Sequence, residues 1–273
     1  MFQTIGIAGS GLMGAAIAEV NLLSKINIIL FDSNSEQLIK AQKKISSGLD
    51  KNNKNGTKVG RIEYVDDISL FKSCDLVIEC VTEDEKIKTQ LLNQIGKIID
   101  NHTILASNTS SISINRLSIS TENPANFIGL HFMNPPQIIK LVEIIPNNRT
   151  NIQIVDAVKE YIAALSMQFV ISDDQPGFIV NRVLIPMINE AVYALESGLS
   201  DVQSIDKALK SGANFPMGPL QLADFIGLDT CLYIMQILAK DFENPKYKPC
   251  HLLEDYVRQG KLGRKTGEGF YKY

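Results

Sequence analysis

No stretch of the 273-residue chain approaches the ~20 consecutive apolar residues that a membrane-spanning helix needs. A basic segment leading into an apolar one is also missing at the N-terminus, where a strand pattern follows Met1 almost at once. No secretory leader is therefore expected, and the cytosol is the expected compartment. An excess of either charge is lacking too: the formal net charge is −3, which leaves no electrostatic footprint for nucleic acid or a membrane surface. The four cysteines show neither C-x-x-C spacing nor a zinc-ligand pattern, so no metal site is expected. Cys74 and Cys80 flank an apolar run and read as buried or partly buried thiols, with thiol chemistry as the alternative. Only three histidines are present, which narrows the search for an acid or base near neutral pH.

What is present is ordinary for a soluble globular protein: 45% hydrophobic and 21% charged residues, in a chain long enough for about two domains. Residues 3–8 form a short apolar run, 12–24 carry helical periodicity, 27–31 are apolar again and 36–45 read as a helix. The lysine-rich segment 46–60 has three glycines and no apolar period, which predicts an exposed loop. Strand patterns recur at 62–65, 75–81, 103–106, 127–132, 139–145 and 167–171, with helical patterns at 85–99 and 151–165. This alternation predicts a parallel sheet covered on both faces, a Rossmann-type doubly wound α/β domain. Beyond Pro176 the strand patterns stop, and 177–197, 202–211, 220–225, 229–240 and 252–259 read as helices. The expected division is a sheet domain over 1–174 and an all-α domain over 175–273.

Gly9-Ser10-Gly11-Leu12-Met13-Gly14 matches G-x-G-x-x-G between a strand and a helix, the only context in which that motif has mechanical meaning. The first glycine makes a tight turn, the second lets backbone approach a pyrophosphate, and the third packs helix on strand. The helix N-terminus then presents unpaired N–H groups and positive dipole to phosphate. Asp32 ends the second strand about 20 residues further on, placed to grip ribose hydroxyls, and no arginine follows to pair a 2′-phosphate. NAD is therefore expected over NADP. The bland alternative is a glycine turn that only packs its helix, with Asp32 capping the next element.

His131 ends the apolar run 127–130, and Glu143 lies inside the apolar run 141–145. A carboxylate buried unpaired in such a run costs several kcal/mol, so if the two runs are neighbouring strands His131 is its natural partner. Glu143 would bond one ring nitrogen and leave the other for a substrate proton. The same spacing also suits a satisfied buried pair with no chemistry. The small polar run 107–111 follows a strand of the sheet, where open α/β sheets place ligands, although such clusters are commonly turns or helix caps. Asn181 shares a helical face with Ile185, Ile188 and Val192, and so needs a buried partner or a ligand. His102 and His251 border helices in polar surroundings and read as exposed or capping.

Taken in order, G-S-G-L-M-G at 9–14, S-N-T-S-S at 107–111, H-F-M-N-P at 131–135, K-L-V-E at 140–143, P-G-F-I-V-N-R at 176–182 and G-R-K-T-G-E-G-F-Y at 263–271 resemble the L-3-hydroxyacyl-CoA dehydrogenase family, in particular its bacterial 3-hydroxybutyryl-CoA dehydrogenases. The resemblance implies oxidation of a short 3-hydroxyacyl-CoA to its 3-oxo form with NAD. It implies a catalytic His131 oriented by Glu143, with Ser110 and Asn181 holding the substrate oxygen. Cofactor contacts are implied from the 9–14 turn (Gly9, Ser10, Gly11, Leu12, Met13 and Gly14) and from Asp32, Glu83, Lys88, Ser110, Asn134 and Lys265. A homodimer through the C-terminal helices is implied as well. Met217, Leu220, Leu222, Phe225, Ile226, Leu232, Ile234 and Met235 offer it more apolar surface than one small domain buries, though core packing is the alternative.

One departure bears on substrate. The family's segment after the second strand forms a longer helical arm over the CoA nucleotide. Here 42–61 reads as shorter and glycine-broken, though it keeps Lys43, Lys44, Lys51, Lys54 and Lys58. A thioester of acyl-carrier protein, or another 3-hydroxy acid, is the alternative substrate. An NAD-binding protein without activity is the non-enzymatic alternative; a broken catalytic set would mark it, whereas Ser110, His131, Glu143 and Asn181 are all present.

Overall fold

The computed structural model describes residues 2–53 and 56–273, so that Lys54 lies outside the described residues. The chain divides into two compact units, Met1–Gln175 and Pro176–Tyr273. The first runs β1 (Thr4–Ala8), α1 (Leu12–Leu23), β2 (Asn27–Phe31), α2 (Ser35–Asn52), β3 (Ile62–Val65), β4 (Leu76–Glu79), α3 (Glu85–Gly96), β5 (Ile104–Ser107), α4 (Ile114–Ser118), β6 (Phe127–Phe132), β7 (Leu141–Pro146), α5 (Ile152–Ala164) and β8 (Gln168–Ile171).

These strands form one eight-stranded sheet in the order β3-β2-β1-β4-β5-β6-β7-β8. β1 to β6 are parallel, β7 turns back against β6, and β8 runs parallel to β7. Strands buried on both faces must be apolar along their whole length, which is why 5–8 and 76–78 are unbroken runs rather than alternating ones. Ile5, Ile7, Ile28, Leu30, Leu76 and Ile78 pack with Ala15, Ala18 and Leu22 of α1 in one core. Strand order reverses between β1 and β4, and the loops leaving those two strands open at the carboxyl edge of the sheet. That is the crevice where open α/β sheets bind ligands.

The segment after β2 corrects one expectation. Instead of a loop over 46–60, α2 continues to Asn52, straight through Gly48. The glycine is there for packing: a Cβ at Gly48 would lie 2.3 Å from Glu19 Oε2. Glu19, on α1, is itself buried and accepts from Asn52 Nδ2 at 2.6 Å and Gln137 Nε2 at 2.8 Å. The last turn of α2 is thus tied to α1, and Ala41 and Ile45 are buried beneath it. Tertiary packing overrides the helix-breaking tendency of one glycine, worth about 1 kcal/mol.

The second unit is helical: α6 (Val180–Glu196), α7 (Val202–Gly212), α8 (Pro219–Ile226), α9 (Leu228–Phe242) and α10 (His251–Arg258). Ile185, Ile188, Val192, Leu220, Leu228, Met235 and Leu238 form its core. Two buried carboxylates fasten its tail. Asp224 accepts from the backbone of Phe270 (2.9 Å) and Tyr271 (2.8 Å), and Asp206 from the Tyr271 hydroxyl (2.8 Å). Part of the surplus apolar surface goes into this core, since Leu220, Ile234 and Met235 are buried, while Phe225 stays 46% exposed. Among the described residues no single helix is long and apolar enough to cross a membrane. α8 and α9 pass only as a pair, bent by 97°.

Candidate active site

Backbone geometry at the glycine turn meets the needs of a phosphate cradle. Gly9 has φ +107°, a conformation costly for any residue with a Cβ, and a Cβ there would lie 2.9 Å from the backbone of Cys80 and Val81. The turn after β1 and the loop after β4 are therefore in contact. At Gly14 a Cβ would sit 1.8 Å from Gly9 O, so only glycine lets α1 start this close to the strand. At Gly11, the N-cap of α1, a Cβ would meet nothing within 4 Å, and no side chain caps the helix start. Backbone N–H groups at a helix start without a capping side chain suit a pyrophosphate.

Asp32 lies beside that turn. Its Oδ2 accepts from the Ser10 backbone N–H and from Ser10 Oγ, both at 2.8 Å, and its Oδ1 accepts from Asn34 N at 3.0 Å. Ser10 is buried, so the carboxylate is held in one orientation at the end of β2. Leu12 is exposed and Met13 half-buried. Turn, helix start and carboxylate together fit a dinucleotide carrying free ribose hydroxyls.

Next to the turn is a buried charge cluster. Glu79, which ends β4, is fully buried, and Lys88 of α3 is 1% exposed. Lys88 Nζ donates to Glu79 Oε1 at 2.8 Å and to Val81 O at 3.2 Å, and lies 3.4 Å from Glu83 Oε2. Burial alone would lower the Lys88 ammonium, but Glu79 and Glu83 outweigh it and hold its pKa above the ordinary value. Glu83 in turn gathers the loop after β5. Its Oε1 accepts from Thr109 Oγ1 (2.7 Å), Ser110 N (2.9 Å) and Oγ (3.1 Å), and Ser111 N (3.0 Å) and Oγ (2.8 Å). Burial would raise the Glu83 carboxyl; Lys88 and these donors overcome that and bring it below its ordinary value.

β6 and β7 bring His131 and Glu143 together. Antiparallel register sets His131 directly opposite Glu143, and His131 Nδ1 lies 2.7 Å from Glu143 Oε2. Both side chains are buried, the carboxylate fully. With Glu143 as acceptor, Nδ1 carries the proton and Nε2 is the nitrogen that exchanges one with a ligand. Asn108, in the loop after β5, accepts from Phe132 N at 2.9 Å and so ties that loop to the strand end next to His131.

The first unit therefore brings the 9–14 turn, Asp32, Glu83, Ser110, His131 and Asn134 to the carboxyl ends of its strands, with Lys88 behind Glu83 and Glu143 behind His131. Asn134 is exposed, just past β6. In the second unit, Asn181 is the second residue of α6, and Lys265 is exposed and ion-paired with Asp229. Sequence reasoning singled out the run 107–111 but missed Glu79. Glu79 carried a readable signal akin to that of Glu143: a carboxylate in an apolar strand. Burial raises the pKa of all four thiols, which leaves them poor nucleophiles.

Comparison with known proteins agrees over the full length. Residues 4–175 match the family model of the 3-hydroxyacyl-CoA dehydrogenase NAD binding domain, and 177–273 match that of the 3-hydroxyacyl-CoA dehydrogenase C-terminal domain. The chain is 43% identical over 284 residues to a 3-hydroxybutyryl-CoA dehydrogenase of Bradyrhizobium diazoefficiens, covering 100% of this chain and 96% of that one. It is 39% identical to the human mitochondrial hydroxyacyl-coenzyme A dehydrogenase, covering 98% and 90%. The crystal structure of (S)-3-hydroxybutyryl-CoA dehydrogenase from Ralstonia eutropha superposes with a TM-score of 0.95 at 39% identity, covering 100% and 99%.

Proposed function

This chain belongs to the 3-hydroxyacyl-CoA dehydrogenase family, and from that premise we propose that it interconverts a short-chain 3-hydroxyacyl-CoA, 3-hydroxybutyryl-CoA first among them, and its 3-oxo form with NAD. The observation that carries the reading is the buried His131–Glu143 pair at the carboxyl edge of a sheet whose first turn is built for a dinucleotide. NAD, when bound, supplies the hydride acceptor. The 9–14 turn and α1 start would hold its pyrophosphate and Asp32 its ribose, with Glu83, Ser110, Asn134 and Lys265 as further contacts. Lys88 would act from behind Glu83.

His131 takes the proton of the 3-hydroxyl at Nε2 as the C3–H bond breaks, and returns it to the oxygen in reduction. Glu143, fixed at Nδ1, stabilises the imidazolium formed in the forward direction and keeps the ring aimed. Ser110 and Asn181 donate to the oxygen as charge develops on it. Ser110 has one hydroxyl proton, aimed at Glu83 in this structure, so its rotor turns when the substrate oxygen arrives.

A CoA thioester is favoured over a carrier-protein thioester because α2 is unbroken to Asn52, which removes the glycine break as a reason for doubting the helical arm. We assign 1–174 to cofactor binding and 175–273 to substrate binding and homodimer formation, the latter supported by exposed Val183, Phe225 and Tyr233 on the helical unit. The free cysteines suit a reducing cytosol. The test is NADH consumption with acetoacetyl-CoA beside the corresponding carrier-protein thioester, repeated with NADPH. Rapid NADH-dependent turnover of the CoA substrate is expected. Preference for NADPH or for the carrier-protein thioester would overturn the cofactor or substrate assignment respectively.

A further inference from the structure

Glu79 has no place in the acid/base chemistry just described, yet it is a fully buried carboxylate in the strand beside the glycine turn, and its hydrogen bonds to Lys88, Val81 and Ser107 lead to the site. Its two oxygens serve two different routes. Oε1 accepts from Lys88 Nζ at 2.8 Å, and from Val81 N at 2.7 Å. Lys88 reaches Glu83 at 3.4 Å, and Glu83 collects Thr109, Ser110 and Ser111. Oε2 accepts from Ser107 Oγ at 2.6 Å, the last residue of β5. Ser107 Oγ in turn accepts from Thr109 N at 3.3 Å, and the adjoining Asn108 holds Phe132 N beside His131.

We propose that Glu79 is a positioning residue for proton and hydride transfer: one buried carboxylate sets the loop 107–111 from both sides, through Lys88–Glu83 and through Ser107, and thereby fixes Ser110 relative to His131. The proposal rests on the assignment of Ser110 to the substrate oxygen. An isolated ion pair would be a poor use of a buried carboxylate, since apolar replacements of equal volume are commonly as stable. Here the charge has a geometric use: Lys88 can hold Glu83 in place only while Glu79 fixes the ammonium from the other side. Positional errors of about 1 Å at a reacting group cost on the order of 100-fold in rate, so a change one layer behind Ser110 is felt in turnover more than in binding.

The experiment compares Glu79→Gln, Ser110→Ala and the double variant by steady-state kinetics with acetoacetyl-CoA and by NADH titration. Glu79→Gln is expected to lower kcat at least tenfold, a larger factor than any rise in NADH Kd or substrate KM. The double variant is expected to be no slower than Ser110→Ala, within twofold, because both changes spoil the same contact. A kcat for Glu79→Gln within twofold of the unsubstituted enzyme overturns the proposal, as does a loss that multiplies in full with that of Ser110→Ala. A normal rate in Ser110→Ala strikes the Ser110 assignment itself and takes the proposal with it; this outcome is separate from a silent Glu79→Gln beside an impaired Ser110→Ala. Should Glu79→Gln not fold, Glu79→Gln with Lys88→Met, which removes both buried charges together, carries the same expectations.

Discussion

Replacing Glu143 by glutamine removes one charge and almost no volume at a site where the charge has one clear task. Nδ1 of His131 and Oε2 of Glu143 are 2.7 Å apart, and both side chains are shielded from water. The glutamine carbonyl can still accept from Nδ1–H, so ring orientation and tautomer survive. What is lost is the anion facing the ring as it becomes positive. Hydrogen bonds to charged partners are worth about 1.5–3 kcal/mol, and each 1.36 kcal/mol of barrier is a factor of ten, so kcat should fall about 10- to 150-fold. Burial argues for the upper part of that range, because little solvent is present to take over the screening. The assay is steady-state turnover in both directions, 3-hydroxybutyryl-CoA with NAD and acetoacetyl-CoA with NADH. With cofactor binding unchanged, the fixed equilibrium constant of the reaction forces both directions to fall together, which is an internal check. A folded Glu143→Gln enzyme with kcat within twofold in both directions would refute the reasoning: the carboxylate would then be structural, and the reaction indifferent to its charge.

Gly48→Ala should destabilise the protein despite the better helix propensity of alanine. The new Cβ meets a Glu19 carboxylate already fixed by Asn52 and Gln137, and overpacking of about 1–3 kcal/mol exceeds the gain of about 1 kcal/mol. A Tm fall of a few degrees is expected, with the sign reversing in a Glu19→Ala background; a rise in the Glu19 background would show the contact to be soft. The lowered Glu83 pKa means that its stabilising contribution is present above the ordinary glutamate value of about 4.3 and is lost as pH falls through the folded value. Glu83→Gln should therefore flatten the acid side of a plot of Tm against pH, and an unchanged slope would count against the carboxylate as the anchor of residues 109–111. Asp224 runs the other way: burial raises it against the donors of Phe270, Tyr271 and Tyr273, so its contribution is present below the unfolded value and lost as pH rises through the folded one. Asp224→Asn should remove that loss, seen as a smaller drop in Tm of the helical unit between acid and neutral pH.

Much of the fold was legible because period and context agree. Unbroken apolar runs separated by amphipathic helices leave a doubly wound parallel sheet as the natural packing, and Glu143 inside an apolar strand called for a partner that antiparallel register then supplied. The misreadings share one cause: a residue type was judged by its surface behaviour at a buried position. Gly48 looked like a helix breaker because nothing in the sequence shows that Glu19 lies over it. That Lys88 is buried, with its ammonium against Glu79 and Glu83, is likewise invisible to residue type alone. Glu79 was passed over although the argument used for Glu143 applies to it unchanged. The four donors that Asp174 receives from Ser113, Ile114 and Asn115 join residues about sixty positions apart, beyond the reach of any local pattern.

The central claim is that His131 moves the proton while the rest of the first unit holds the dinucleotide. His131→Gln tests it most directly, measured as single-turnover oxidation of bound NADH by acetoacetyl-CoA beside an NADH titration of the same protein. Positioned acid/base groups contribute about 100- to 10,000-fold, so the account predicts a rate loss in that range with NADH affinity within threefold of the unsubstituted enzyme. A His131→Gln enzyme that turns over at near the original rate would contradict it.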